Sequence, residues 1–167
     1  MTVTSNGGTG ARPMKDGLSA TAYPSGVKGT PVEIAESVTP LIFWRKELRP
    51  DSGGAGRTRG GLGQIIEIES GIGRPFDLLA AYDRIDHPQR GRDGGRDGAA
   101  GYVGLKSGGK LKGKGFQEIP TGDRLVVMTP GGAGIGDPSE RRRDLVERDL
   151  SEGLVSEDAA GAVYRRP

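Results

Sequence analysis

The 167-residue chain has no cysteine and one histidine, His87. The first absence excludes a disulfide framework and thiol chemistry. The second excludes a multi-histidine metal site. Aromatic side chains make up 5% of the residues, too few for a base-stacking surface. No excess of one charge sign is present either. The 24 basic and 22 acidic side chains leave a net charge of +2, so no polyanion partner is implied. No apolar run approaches membrane-spanning length, and "MTVTSNGGTGAR" carries no signal-peptide core. A cytoplasmic protein, without membrane or nucleic-acid partners, is the expectation.

Glycine is what the chain has in abundance. Its 31 glycines and 11 prolines form a quarter of the residues, while Leu, Ile, Val and Phe together form about a fifth. Both values lie near the limits of ordinary globular composition, and each glycine costs extra backbone entropy on folding. The chain is therefore expected to be loop-rich, or ordered with help from neighbouring protein.

The order of elements predicts an α+β fold, mainly β with glycine-rich loops and one or two C-terminal helices. Residues 1–167 read as a single unit, β-rich over 1–136 and helical over 137–167. Pro31 and Pro40 fence a segment that suits a strand or one helical turn. Residues 41–48 read as a strand with Ile42, Trp44 and Leu48 on one face. "QIIEIES" is a second strand, with Ile66 and Ile68 opposite Glu67 and Glu69. "FDLLAAYDRI" is ambiguous and leans to strand. A hairpin is expected around Gly108-Gly109. "DRLVVMT" is apolar on both faces, hence central. Helices are expected over 138–152 and 157–164, the second capped by Ser156. Leu145, Val146 and Leu150 form a narrow stripe that would dock the first helix on the sheet.

The strand–glycine–helix stretch "VVMTPGGAGIGDPSER" invites a phosphate-binding reading. It lacks the lysine and Ser/Thr of a P-loop, and its glycine spacing is not the dinucleotide fingerprint. Asp137, Pro138 and Glu140 instead fit a capped helix start, which puts carboxylates where a phosphate would sit. In "RPDSGGAGRTRGG", Asp51, Ser52, Arg57 and Arg59 could orient a polar ligand or a partner's acidic group. The plainer reading is a demanding turn in which glycines supply positive φ. Asp86 and His87 read as an acid–base pair or, more simply, as a solvated loop. "KLKGKG" with Arg92 and Arg96 could touch a nucleic-acid backbone. Asp93 and Asp97 in the doubled GRDG of residues 91–98 would neutralise those arginines, which favours a solvated surface. No constellation makes a self-sufficient active site.

"GGTGAR" at 7–12, Asp16-Gly17, "PVEIAE" at 31–36, "RPDSGGAGRTRGGLG" at 49–63 and "TPGGAGIGDPSER" at 129–141 occur in an order that resembles the C-terminal part of the hydantoinase B/5-oxoprolinase family. The resemblance covers almost the whole chain. Two departures are local: "GVKGTPVE" lacks an expected asparagine, and "DHPQRGRDGGRDGAAG" is looser than the family's version. The resemblance implies a subunit portion of an ATP-dependent cyclic-amide hydrolase, or of a related carboxylase, inactive alone. It implies a hydantoinase A-like subunit and the missing N-terminal part of the B subunit as partners. ATP with Mg and a divalent metal belong to the full complex. No catalytic, cofactor or metal residue carries over to this chain. Arg12, Asp51, Ser52, Arg57 and Asp137 are expected in packing or interface roles. A non-catalytic β-rich interaction module is the alternative.

Overall fold

The computed structural model describes residues 2–22, 26 and 29–164. Antiparallel pairing builds a four-stranded sheet from β1 (Leu41–Leu48), β2 (Gln64–Ser70), β4 (Tyr102–Leu105) and β6 (Leu125–Met128), in the order β1-β2-β6-β4. A separate two-stranded ribbon pairs β3 (Phe76–Ala81) with β5 (Lys114–Ile119). The core lies between one sheet face and the ribbon. Ile66, Ile68, Val103, Leu125 and Val127 come from the sheet and Ile119 from the ribbon, with Phe76 and Leu78 packed beside them. β6 is apolar on both faces because it lies between β2 and β4.

The alternation in β2 places Ile66 and Ile68 in the core. Glu67 lies on the other face yet is only 5% exposed. Lys106 donates to it at 2.9 Å, and Arg124 and Arg45 approach at 3.7 and 3.8 Å. The Lys106 hydrogen bond, acting against burial, holds its carboxyl below the usual range.

Three expectations change. The register of β1 against β2 shifts between Phe43 and Arg45, so one period-two face does not run through the strand. Leu41 and Phe43 pack on the core, while Ile42 and Trp44 are exposed. The turn at Gly108-Gly109 is tight: Leu105 N–H donates to the Gly109 carbonyl and Leu111 N–H to that of Val103. β5 then leaves to pair with β3 rather than returning along β4. Third, the stretch 138–152 is not one helix. A single 3-10 turn, Pro138–Glu140, is followed by extended backbone at Arg141 and Arg142, then by α2 (Arg143–Ser151). The break turns the Arg141 side chain inward, where none of it is exposed.

The segment between the two prolines is α1 (Val32–Val38), with Ala35 buried and the Glu36 carboxylate accepting from Phe43 N–H. α3 (Glu157–Val163) is capped by Ser156, whose hydroxyl accepts from Ala159 N–H. Val146 and Leu150 of α2 pack on Val155, Ala160, Tyr164 and Ala55, so the stripe docks on α3 and the glycine loop rather than on the sheet. The chain is a mixed α/β fold, mainly strands, with three α-helices among the described residues. Residues 165–167 of the tail lie outside the described residues.

Candidate functional site

The glycine motifs converge. Residues 7–11, 52–63, 91–99 and 130–136 run side by side, and the 130–136 segment is the hub. Its carbonyls and amides bond to three neighbours: Gly8 N–H to Pro130, Gly54 N–H to Gly132, Gly132 N–H to Gly61, Gly131 N–H to Ala99 and Gly134 N–H to Arg96, all at 2.8–3.0 Å. A sheet strand has at most two neighbours, so this is a bundle of segments rather than a sheet.

Glycine is required there because the backbones touch. A Cβ on Gly132 would lie 1.7 Å from the Thr9 carbonyl oxygen, one on Gly131 1.7 Å from that of Ser52, and one on Gly8 1.8 Å from that of Gly61. This corrects the expectation that the glycines of 49–61 supply positive φ. In that run the left-handed residue is Asp51, at φ 59°, and no glycine has positive φ.

The helical tail is locked to the bundle by a buried ion network. Asp149 is 1% exposed and accepts from Arg59 Nε at 3.1 Å and from an Arg141 terminal nitrogen at 2.6 Å. Arg141 also makes two 2.8 Å bonds to the Asp16 carboxylate, the fork geometry that suits guanidinium to carboxylate. Asp16 in turn accepts from Arg59 N–H. The buried part sets two arginines against two aspartates, and the half-exposed Arg148 approaches both carboxylates from the rim, at 3.4 Å from Asp16 and 3.7 Å from Asp149. Burial pushes the Asp16 carboxyl up, but the Arg141 pairing outweighs it and holds the group below its ordinary value. Burial likewise opposes the Arg141 charge, and Asp16 and Asp149 overcome it, raising that pKa. Tyr164, whose ring lies under the Arg141 guanidinium at 5.8 Å, is pushed up to about 12 by burial.

At another side of the bundle a cleft of ≈ 460 Å³ opens between residues 5–10, 81–85 and 128–130. Tyr82 stands in it with its phenol pKa raised by burial. Arg84, a non-glycine residue at φ 56°, is exposed at its rim. Gln89 bridges to the bundle by accepting from Ala133 N–H. No hydroxyl lining the cleft is hydrogen-bonded to a histidine, lysine or carboxylate among the described residues. The cleft can hold a polar group, but it contains no activated nucleophile.

The residues singled out in sequence all border the bundle, at separate places. Arg12 donates to the Asp16 carbonyl, closing a small loop. Asp51 joins bundle to tail, its amide donating to Leu154 and its carboxylate accepting from Ser156 N–H. Ser52 is 1% exposed, its hydroxyl donating to the Arg49 carbonyl and accepting from Gly63 N–H. Arg57 pairs with Glu140 at 3.4 Å on the surface. Asp137 caps the 3-10 turn by accepting from Ser139 N–H. Asp97 accepts from Gly91 N–H instead of neutralising an arginine. His87 is exposed, without a hydrogen bond or ion pair among the described residues. Of the buried network the sequence marked only Arg59, and as a contact for a polar ligand. Asp16, Arg59 and the segment 141–149 lie far apart in the chain, and the helical reading of 138–152 hid the inward turn of Arg141.

Among the described residues no group of three His, Cys, Asp or Glu could hold a metal ion. The glycine amides that resemble a phosphate cradle are spent on neighbouring carbonyls. Nor is any helix of the described residues long and apolar enough to cross a membrane.

Comparison with known proteins places this architecture. The chain is 30% identical to the putative D-/L-hydantoinase B subunit of a Pseudomonas species (strain NS671), over 95% of its own length and 28% of the relative's. Its fold matches the crystal structure of the ATP-dependent caprolactamase of Pseudomonas jessenii with a TM-score of 0.77 and 25% identity, over 96% of this chain and 29% of that one. It matches nucleotide-free acetone carboxylase at 0.74 and 25% identity, over 95% and 26%. The chain thus spans less than a third of each of these proteins. The family model for hydantoinase B/oxoprolinase matches residues 1–138, which end where the 3-10 turn begins. The chain belongs to the hydantoinase B/oxoprolinase family.

Proposed function

We propose that this chain is the C-terminal portion of the B subunit of an ATP-dependent cyclic-amide hydrolase, working only with the remaining B sequence and an A-type subunit. The observation that carries the reading is the family match over 1–138 joined to a shared fold over 96% of the chain. The absence of a donor set and of an activated nucleophile among the described residues fits a supporting role. The partner chains would hold the nucleotide and the divalent metal, and the metal would supply an activated water for ring opening. At Gly7, Gly8 and Pro130 the cleft wall is part of the backbone-packed bundle, which suits a supporting role. The match to acetone carboxylase favours a second reading, the same supporting role in an ATP-dependent carboxylase.

The test is reconstitution. The chain is co-expressed with the remaining hydantoinase-B sequence and the A-type sequence of the same genome. ATP consumption is followed with hydantoin, 5-oxoproline, caprolactam, and acetone plus bicarbonate. A stable complex with substrate-dependent ATP turnover, absent when this chain is omitted, is the expected result. A chain that joins no complex and leaves the rate unchanged is a separate interaction module, and the proposal fails.

A further inference from the structure

The outer face of the β3–β5 ribbon is uncovered. The inner face gives Phe76, Leu78 and Ile119 to the core. On the outer face Leu79, 63% exposed, stands directly opposite Phe116, 78% exposed. Toward one end Asp77 pairs across the strands with Glu118, and neither carboxylate meets a cation among the described residues. Like charges directly opposite are destabilising, and nothing within the described residues offsets this pair. Toward the other end the charge reverses at Lys112 and Lys114, of which Lys114 pairs with Asp83. Among the described residues no third strand joins either edge of the ribbon. Two strands with both edges open are marginal by themselves. The exposed side chains of β1 differ, since Trp44 already lies against Arg124 at 4.1 Å.

We infer that this outer face docks the part of a hydantoinase-B-type subunit lying beyond the portion matched by this chain. Its contact surface sets apolar side chains on Leu79 and Phe116, a basic residue toward Asp77 and Glu118, and an acidic one toward Lys112. The inference rests on the proposed function. Each solved relative carries roughly 70% of its length outside the matched fold, enough chain to supply such a layer. The charge order along the ribbon fixes which way that layer runs.

The reconstituted complex tests it. Phe116→Lys and Leu79→Lys alter exposed side chains and should leave the circular dichroism and melting of the free chain unchanged. Each is expected to weaken binding of the remaining B sequence at least tenfold, whereas Glu147→Lys on the far helix leaves binding intact. Amide exchange at 76–81 and 114–119 should slow on complex formation. If the wild type forms the complex while these amides stay unprotected, or both lysine variants bind as tightly as wild type, the docking inference falls and the proposed function stands. If the wild type forms no complex, both fall. A dimer of the free chain that Phe116→Lys dissolves, without binding to the B sequence, would assign the face to a second copy and overturn the inference.

Discussion

The strand core and the glycine bundle bury their chain in opposite ways. In the core, side chains such as Ile66, Val103 and Val127 fill the space between sheet and ribbon, and the backbones stay a strand spacing apart. In the bundle the backbones themselves fill the space, and a carbonyl of one segment lies where a neighbour's Cβ would be. Side-chain packing tolerates small losses, because a deleted methyl leaves a cavity that partly relaxes. Backbone packing tolerates no addition, because every atom that would have to move belongs to a hydrogen-bonded main chain.

The sharpest test of the contrast is Gly132→Ala against Ile66→Val. One adds a methyl to the bundle, the other removes one from the core. Gly132→Ala should cost about 4 kcal/mol or leave no folded protein, the range of the most severe single substitutions. Ile66→Val should cost about 1 kcal/mol. Urea denaturation midpoints compare them, and near-equal costs would erase the distinction. Asp149→Ala comes next. It leaves Arg59 and Arg141 buried without their shared carboxylate, which costs about 3–5 kcal/mol. The double change Arg59→Met/Asp149→Leu should melt higher than Asp149→Ala, because it removes the guanidinium that Asp149→Ala strands and leaves the Arg141–Asp16 pair intact.

A smaller effect is expected from pH. The Asp16 carboxyl is held below its ordinary value in the folded protein. Its contribution is therefore complete above about pH 4, the unfolded value, and drains away as pH falls through the lower folded value. Melting temperature measured between pH 6 and 2 should show an acid-side loss that Asp16→Asn reduces, the remainder coming from carboxylates such as Glu67 that are held low in the same way. Smallest of all is Glu147→Gln, which breaks an exposed pair with Arg143 on α2 and should not shift the urea midpoint measurably.

Much of the strand core could be read from the sequence. The alternation in 64–70, the two-faced apolarity of 125–128 and the Ser156 cap are local patterns, and the structure keeps them. The register shift at Phe43–Arg45 could not be read, since it depends on the partner strand. Family membership was legible in the order of the glycine motifs, but the reason for the glycines was not. A glycine required for close approach looks the same in sequence as one required for a turn. Only the neighbouring segment, Thr9 beside Gly132 or Ser52 beside Gly131, separates the two. The buried ion network stayed hidden for the same reason, since Asp16 and Asp149 meet through Arg141 only after the bundle has assembled.

The hub segment 130–136 also sets an order of events during synthesis. Its neighbours begin at residue 7, and the hydrogen bond from Gly8 to Pro130 spans most of the chain. Closing so long a loop is entropically slow, and few local contacts reward it along the way. While the polypeptide emerges from the ribosome, the Gly61, Arg96 and Ala99 amides can already pair with Thr9, Ala55 and Ser52, whereas those of Gly8, Ala11, Gly54, Thr58 and Arg92, whose acceptors lie in 130–136, stay hydrated until the last glycine segment arrives. The β1–β2 pair, whose strands lie close in sequence, is able to form early. The bundle of glycine motifs that marks the family is thus completed only when its hub is made.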